Sequence, residues 1–143
     1  MKSVKTILLI ACLLLGSLVS NAQIFFKNNH EESVHLSVAR YVNNGSSGYW
    51  MTQGWWTVIR GETKKIIDRI GPSDSLAYWC ITKISETPFE GNRNLMVHND
   101  EKFTIKFADK DSVFQLHPEF EWRKFRMVML KPGALTGIIQ FQK

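Results

Sequence analysis

The amino-acid sequence predicts an all-β fold, an antiparallel β-sandwich or small barrel built from about eight or nine short strands. Three observations predict it. Runs of β-branched and aromatic residues recur along the chain, apolar and polar residues alternate at a period of two within several of these runs, and Gly, Pro, Asn and Asp separate them. Many short strands divided by turns are typical of this fold class.

The N-terminus is predicted to be an export signal. Lys2 and Lys5 form a positively charged start, residues 7–19 are an apolar core, and Ser20-Asn21-Ala22 is a small-residue cleavage site. The apolar run is too short for a stable membrane anchor. We therefore expect a mature protein of residues 23–143 that forms a single β-sandwich domain and is periplasmic or secreted.

A lipobox is the alternative interpretation of residues 1–22. Leu9-Ile10-Ala11-Cys12 would place a lipid on Cys12. A polar tether is expected after such a cysteine, whereas Leu13-Leu14-Leu15 continues the apolar core. We therefore expect cleavage before Gln23 and no lipid anchor.

The charge of the chain argues against a nucleic-acid partner, and its cysteine content argues against an internal disulfide. The chain has 18 Lys and Arg against 13 Asp and Glu, a net charge of +5, which falls when Lys2 and Lys5 leave with the signal. Such a mild charge predicts no nucleic-acid partner. Cys80 is the one cysteine that remains, so no internal disulfide is expected. Its neighbours Trp79 and Ile81 favour a buried thiol over a reactive one.

The first two strands are predicted at residues 24–26 and 34–42. The first reads Ile-Phe-Phe. In the second, the large apolar residues Val34, Leu36 and Val38 alternate with the smaller or polar residues His35, Ser37 and Ala39. This alternation indicates a strand with one buried face. Turn-forming Asn, Gly and Ser residues flank this second strand.

Residues 49–59 are predicted to form one bent strand. It consists of two β-prone runs, and Gly54 between them indicates a bulge or a close approach of two backbones. A turn at residues 60–62 then leads into a strand at residues 63–67.

The second half of the chain contains further candidate strands. Residues 102–107 show period-two alternation of Phe103, Ile105 and Phe107. The others are residues 77–84, 94–98, 112–116 and 135–141.

Residues 120–130 fit either a strand or a helix. Trp122 and Val128 share strand parity, whereas Trp122 and Phe125 would share a helical face. The sequence Leu-Lys-Pro-Gly at residues 130–133 is a turn, and a closing strand follows it. We therefore expect a β-hairpin here.

The tryptophans are the main candidates for a binding site. Tyr49, Trp50, Trp55 and Trp56 lie within eight positions. Adjacent residues of a strand point to opposite faces. If the strand is not bulged at Gly54, Trp56 faces inward and Trp55 faces outward, where it would stack on a sugar ring or enter a protein or membrane interface. The alternative is that both rings close the core and its open edge.

Gly54-Trp55-Trp56-Thr57-Val58, followed by Gly61-Glu62, resembles a known bacterial family, the domain of unknown function numbered 1036. The wider likeness spans residues 25–107 and includes Phe26, Asn28, Val34, Ala39, Tyr41, Trp50 and Tyr78. Arg60 stands where the family commonly has Pro, and the family's usual extra cysteines are absent. The resemblance implies an exported, β-rich fold and no settled activity.

Two pairs of a histidine and a carboxylate are candidates for catalysis or metal binding. His98 and Asp100 are two residues apart, as are His117 and Glu119, so strand geometry would place each pair on one face. No H-E-x-x-H, C-x-x-C or G-x-S-x-G motif accompanies them. We expect no metal, no cofactor and no enzymatic activity. A small secreted hydrolase that uses these residues is the alternative.

Basic and aromatic residues are interleaved near the C-terminus. Arg123, Lys124 and Arg126 follow Trp122 and flank Phe125. Such a segment suits an acidic glycan or anionic lipid headgroups. The alternative interpretation is a solvated strand face.

Together these features predict an exported, non-catalytic binding or structural module. Its expected ligand is a glycan or an envelope or protein partner, and a peripheral membrane-surface domain is a further alternative. The predicted ligand-binding residues form an exposed aromatic patch with one cation: Tyr49, Trp50, Trp55, Trp56, Trp122 and Arg123.

Overall fold

The computed structural model describes residues 22–70, 75–82, 91–129 and 136–141. These residues form nine strands and one short helix, α1 (Asp111–Leu116). The strands are β1 (Ala22–Asn28), β2 (Val34–Asn43), β3 (Gly48–Val58), β4 (Thr63–Ile70), β5 (Ser75–Thr82), β6 (Arg93–His98), β7 (Phe103–Lys106), β8 (Phe120–Val128) and β9 (Thr136–Phe141).

The strands are arranged in two sheets. The smaller sheet has the order β4-β1-β9, in which β1 is antiparallel to β4 and parallel to β9. The larger sheet has the order β6-β8-β5-β2-β3-β7, and all of its pairs are antiparallel. The predicted all-β class is confirmed.

The larger sheet curls until its two ends nearly meet. Ala108, just after β7, donates its N–H to the Trp50 carbonyl oxygen at 2.9 Å, and its own carbonyl oxygen accepts from the Met96 N–H of β6 at 2.9 Å. The Thr52 hydroxyl of β3 donates to the Met96 carbonyl oxygen at 2.7 Å. These bonds hold the β6 end of the sheet against its β3–β7 end, so the sheet resembles a nearly closed barrel.

The curl produces two hydrophobic cores. The first core lies between the two sheets and includes Phe26 and Leu36, and the second core lies against the larger sheet and includes Trp79, Leu95 and Phe125. Successive residues of a strand point to opposite faces. Neighbouring residues of β2 and β5 therefore enter different cores. Both strands are therefore buried on both faces in their centres. Each large side chain buried in this way contributes about 1.5–3 kcal/mol.

Residues 112–116 were predicted as a strand, and this prediction is wrong because they belong to α1. Val113 and Phe114 are adjacent, and both are half-buried against the second core. Neighbouring residues lie about 100° apart on a helix but on opposite faces of a strand, so only the helix buries both. Asp111 lies in the first turn of α1, where its negative charge interacts favourably with the positive end of the helix dipole.

The predicted hairpin of the last two strands is also wrong, although both strands form. β8 lies between β5 and β6, so both of its hydrogen-bonding edges are already occupied. β9 instead adds to β1 in parallel, and Ile139 enters the first core. The predicted turn at residues 130–133 lies outside the described residues.

Cys80 is expected to be unreactive while the protein is folded. Its side chain is fully buried in the first core, and burial raises the pKa of the thiol far above its ordinary value, so almost no thiolate forms. In a Cys12→Ser variant, Ellman's reagent should label one thiol only after denaturant is added. Rapid labelling of the native protein would contradict this expectation.

The predicted export signal lies outside the described residues, except for Ala22, which begins β1. Among the residues that the structure describes, no helix has the length and apolar character needed to cross a membrane.

Candidate functional site

A β-bulge at Gly54 shapes the candidate site. Leu36 pairs with Trp56 and Val38 pairs with Gln53, so Gly54 and Trp55 together lie opposite the single residue between them on β2. The predicted bulge is confirmed. Gly54 also leaves room for a neighbouring side chain, because a Cβ atom at this position would lie 2.8 Å from the Phe103 ring.

The two adjacent tryptophans point to different cores. Trp56 packs against the first core, where Val58 also lies, whereas Trp55 packs against the second. The outward Trp55 expected for an unbulged strand is therefore not found. Trp55 is half-buried instead and lies at one end of the curled sheet.

The indole of Trp55 is held by three neighbours. Its Nε1–H donates to the His98 carbonyl oxygen at 3.0 Å. Its ring centre lies 5.4 Å from that of Trp79 and 5.6 Å from that of Phe103, both in inclined geometries that aromatic rings favour. The ring is thus fixed before any ligand arrives, which lowers the entropy lost on binding.

Two depressions open beside Trp55, and it lines both. The first, which we call the Lys102 groove, has a volume of about 360 Å³, and its other lining residues are Gln53, Gly54, Trp56, Lys102, Phe103 and Thr104. The second, which we call the His35 pocket, has a volume of about 260 Å³, and its other lining residues are His35, Ile81, Asn99 and Asp100.

Strand register explains why residues so distant in sequence meet here. His35 near the start of β2 pairs with Thr57 near the end of β3 and with Ile81 near the end of β5. The Thr57 hydroxyl and His35 Nδ1 are 3.2 Å apart. The turn after β6 then brings Asn99 and Asp100 to the same end of the sheet.

Charged and amide groups lie close to the His35 pocket. With the Asn99 amide oriented so that its nitrogen faces Glu121, it donates to the two carboxylate oxygens at 2.9 and 3.3 Å. Glu121 also forms an ion pair with Arg123. The Arg123 guanidinium in turn lies 5.3 Å from the centre of the Trp79 ring. Glu121 therefore neutralises Arg123 and orients Asn99.

The residues of the predicted aromatic patch do not form one surface. Trp50 is only 4% exposed, and the Arg93 guanidinium covers its ring at 5.0 Å. Tyr49 is half-buried, with its ring 4.7 Å from that of Phe107. Of the six predicted residues, Trp55 and Trp56 share the Lys102 groove.

Trp122 and Arg123 are likewise engaged within the protein. Trp122 is half-buried, and its ring lies 5.6 Å from that of Phe114 on α1. Arg123 is held by the ion pair with Glu121 described above. Lys124 and Arg126 are the exposed cations of the predicted basic segment.

Sequence reasoning missed most of the residues that line the two depressions, among them His35, Ile81, Asn99 and Lys102. None of them belongs to a motif, and each joins the site through strand register or through the turn between β6 and β7. A period-two pattern identifies buried positions, but it gives no information on which strand ends meet.

The two candidate histidines approach the same aromatic ring. The His117 ring stacks on Phe120 with ring centres 4.7 Å apart, and the His98 ring is 6.0 Å from Phe120. His98 Nδ1 accepts the backbone N–H groups of Asp100 and Glu101 at 3.2 and 3.1 Å, so this nitrogen stabilises the turn. Within the described part of the chain, no group of three or more His, Cys, Asp or Glu side chains is suited to hold a metal ion.

Glu119 is expected to titrate below its ordinary pKa of 4.5. A hydrogen bond from its own backbone N–H lowers the pKa most, and the hydrogen bond with His117 lowers it further. A lowered pKa means that the ionised carboxylate stabilises the fold. This stabilisation is present above the unfolded-state pKa and is lost as the pH falls through the folded-state pKa.

Carboxyl NMR titration checks this expectation for Glu119. In a His117→Asn variant the midpoint should rise only part of the way toward 4.5, because the backbone hydrogen bond remains. An unchanged midpoint in this variant would contradict the contribution of His117.

Comparison with protein families and with curated proteins gave no match. No protein-family model matches the chain, and no curated protein is significantly similar to it. The likeness of the Gly54-Trp55-Trp56 segment to the domain family numbered 1036 therefore stays a prediction.

Proposed function

We propose that the protein is a non-catalytic binding module that holds a saccharide against Trp55. The observation that carries this proposal is that one pre-oriented, half-buried indole lines two adjacent depressions. An aromatic face provides apolar area for the C–H face of a sugar ring at low entropic cost. The amides and hydroxyls around it are suited to hydrogen bonds with sugar hydroxyls.

The polar groups around Trp55 support binding rather than hydrolysis. Most glycosidases use two carboxyl groups that face each other across the bond to be cleaved. Glu121 is committed to Arg123 and Asn99, and the His35 pocket has Asp100 as its one carboxylate lining residue. His98 Nδ1 is occupied by two backbone donors, so it is not free to act as a base.

A fluorescence titration tests the proposal. The full chain is titrated with neutral and acidic mono- and disaccharides, and binding near Trp55 should change its tryptophan emission. Trp55→Phe keeps a ring but loses part of the stacking face, so calorimetry should find at least a threefold weaker affinity, the worth of about 25–30 Å² of apolar contact at about 25 cal/mol per Å². Trp122→Phe is the matched control and should bind like the unmodified protein.

Two results would overturn this function. One is a folded protein for which calorimetry detects no binding to any saccharide of the panel. The other is release of cleaved sugars from the disaccharides during incubation, which would make the protein a hydrolase.

We further propose that the protein is exported. The charged start, the apolar core and the small-residue cleavage site of residues 1–22 support this part of the proposal. Mass spectrometry of the protein recovered outside the cytoplasm should find a mature chain that begins at Gln23. A lipid-modified N-terminus at Cys12 would instead support the lipoprotein alternative.

A further inference from the structure

We propose that the site at Trp55 binds an acidic oligosaccharide of at least two units in one direction, with a carboxylate-bearing unit in the Lys102 groove and an uncharged unit in the His35 pocket. This inference rests on the proposed function, because it assigns the ligand class of the same site. It is carried by the shared position of Trp55 between the two depressions and by their opposite charges.

The sizes of the depressions argue for two units. Pockets that enclose a drug-sized ligand begin at about 300 Å³. The Lys102 groove, at about 360 Å³, and the His35 pocket, at about 260 Å³, are each near this lower limit. Each therefore suits one sugar-sized unit. A ligand that fills both must pass over the Trp55 indole, which lines both.

The charge of the Lys102 groove argues for an anionic unit there. Lys102 is exposed, and no ion pair among the described residues involves it. Gln53 and Thr104 lie beside it, with the Gln53 amide nitrogen 3.4 Å from the Thr104 hydroxyl. An unpaired ammonium with an amide and a hydroxyl nearby offers a carboxylated sugar one charge-assisted hydrogen bond and several neutral ones.

The charge of the His35 pocket argues against an anionic unit on the other side. Asp100 lines this pocket, and no ion pair among the described residues neutralises its carboxylate. A carboxylate repels a second anion but accepts hydrogen bonds from sugar hydroxyls. The two depressions therefore differ in sign, and this difference sets the direction of the bound chain.

The experiment compares matched ligands by calorimetry. The probes are a disaccharide of a uronic acid and an N-acetylhexosamine, its methyl ester, and the two separate monosaccharides. The disaccharide should bind at least tenfold more tightly than either monosaccharide, since filling a second subsite of this size adds well over one tenfold step of affinity. The ester should bind about three- to tenfold more weakly, as expected for loss of one solvent-exposed ion pair and its hydrogen bond.

Substitutions test whether Lys102 causes the preference for the acid over its methyl ester. In Lys102→Gln the acid and the ester should bind equally well. Lys106→Gln removes another exposed lysine, on β7, that lies outside both depressions, and it should preserve the preference for the acid. In Asp100→Asn, a disaccharide of two uronic acids should bind more tightly than it does to the unmodified protein.

The outcomes separate this inference from the proposed function. If saccharides bind at Trp55 but the acid and the ester are equivalent, or if Lys102→Gln leaves the preference intact, the inference is overturned and the proposed function stands. Equal affinity for a monosaccharide and the disaccharide would overturn the two-unit arrangement alone. If no saccharide binds, both proposals fail.

Discussion

Trp79→Ala is expected to lower the free energy of unfolding by about 3–5 kcal/mol, the range for truncating a large buried aromatic side chain. Trp79 is only 5% exposed, and it belongs to the second core. It also supports the candidate site, because the Trp55 ring and the Arg123 guanidinium both pack on its indole. The same substitution should therefore weaken ligand binding even where the protein remains folded.

Urea unfolding followed by circular dichroism measures this loss. Trp122→Ala is the control, since Trp122 is half-buried on the β8 face beside α1 and should lose only about 1–2 kcal/mol. Equal losses in the two variants would contradict the deeper burial of Trp79.

A second substitution at Trp79 separates packing from hydrogen bonding. Trp79 Nε1 is buried and has no hydrogen-bond partner among the described residues. A phenylalanine at this position keeps an aromatic ring and removes the unsatisfied donor, which by itself costs about 1–3 kcal/mol when buried. Trp79→Phe should therefore be much less destabilising than Trp79→Ala.

The sequence predicted most strands because their signals are local. The Val34, Leu36 and Val38 alternation describes β2 without any knowledge of its neighbours, and Gly54 marked the bulge in β3. The failures concern residues whose structure depends on distant parts of the chain. Residues 112–116 form a helix because adjacent Val113 and Phe114 both pack on a core that is assembled from other strands.

The candidate site shows the same difference between local signals and contacts that depend on distant parts of the chain. Sequence reasoning selected Trp55 and Trp56 from their unusual spacing, and both line the Lys102 groove. For an unbulged strand it placed Trp56 with Val58 on the inner face and Trp55 on the outer face. Trp56 and Val58 do share the first core, but the curled sheet has a second core on its opposite face, and this core covers Trp55. Sequence reasoning had no means of finding His35, which reaches Trp55 only through the register of β2 with β3.

Gly91→Ala is the second substitution for which we expect a large effect. A Cβ atom at Gly91 would lie 2.2 Å from the Phe125 carbonyl carbon and oxygen and 2.5 Å from the Lys124 carbonyl oxygen. These are all backbone atoms of β8, so no side-chain rotation relieves the clash. The start of β6 would have to move away from β8, and we expect a loss of about 3 kcal/mol or more, at the upper end of overpacking penalties.

Gly61→Ala is the matched control, because it adds the same methyl group where a glycine is present for a different reason. Gly61 has φ +75° and open space around its Cβ position, so alanine there meets backbone strain but no steric clash. That strain costs about 1–2 kcal/mol. Unfolding in urea should therefore rank Gly91→Ala as clearly the more destabilising of the two. The reverse order would mean that the chain just before β6 does not pass close to the β8 backbone at Gly91.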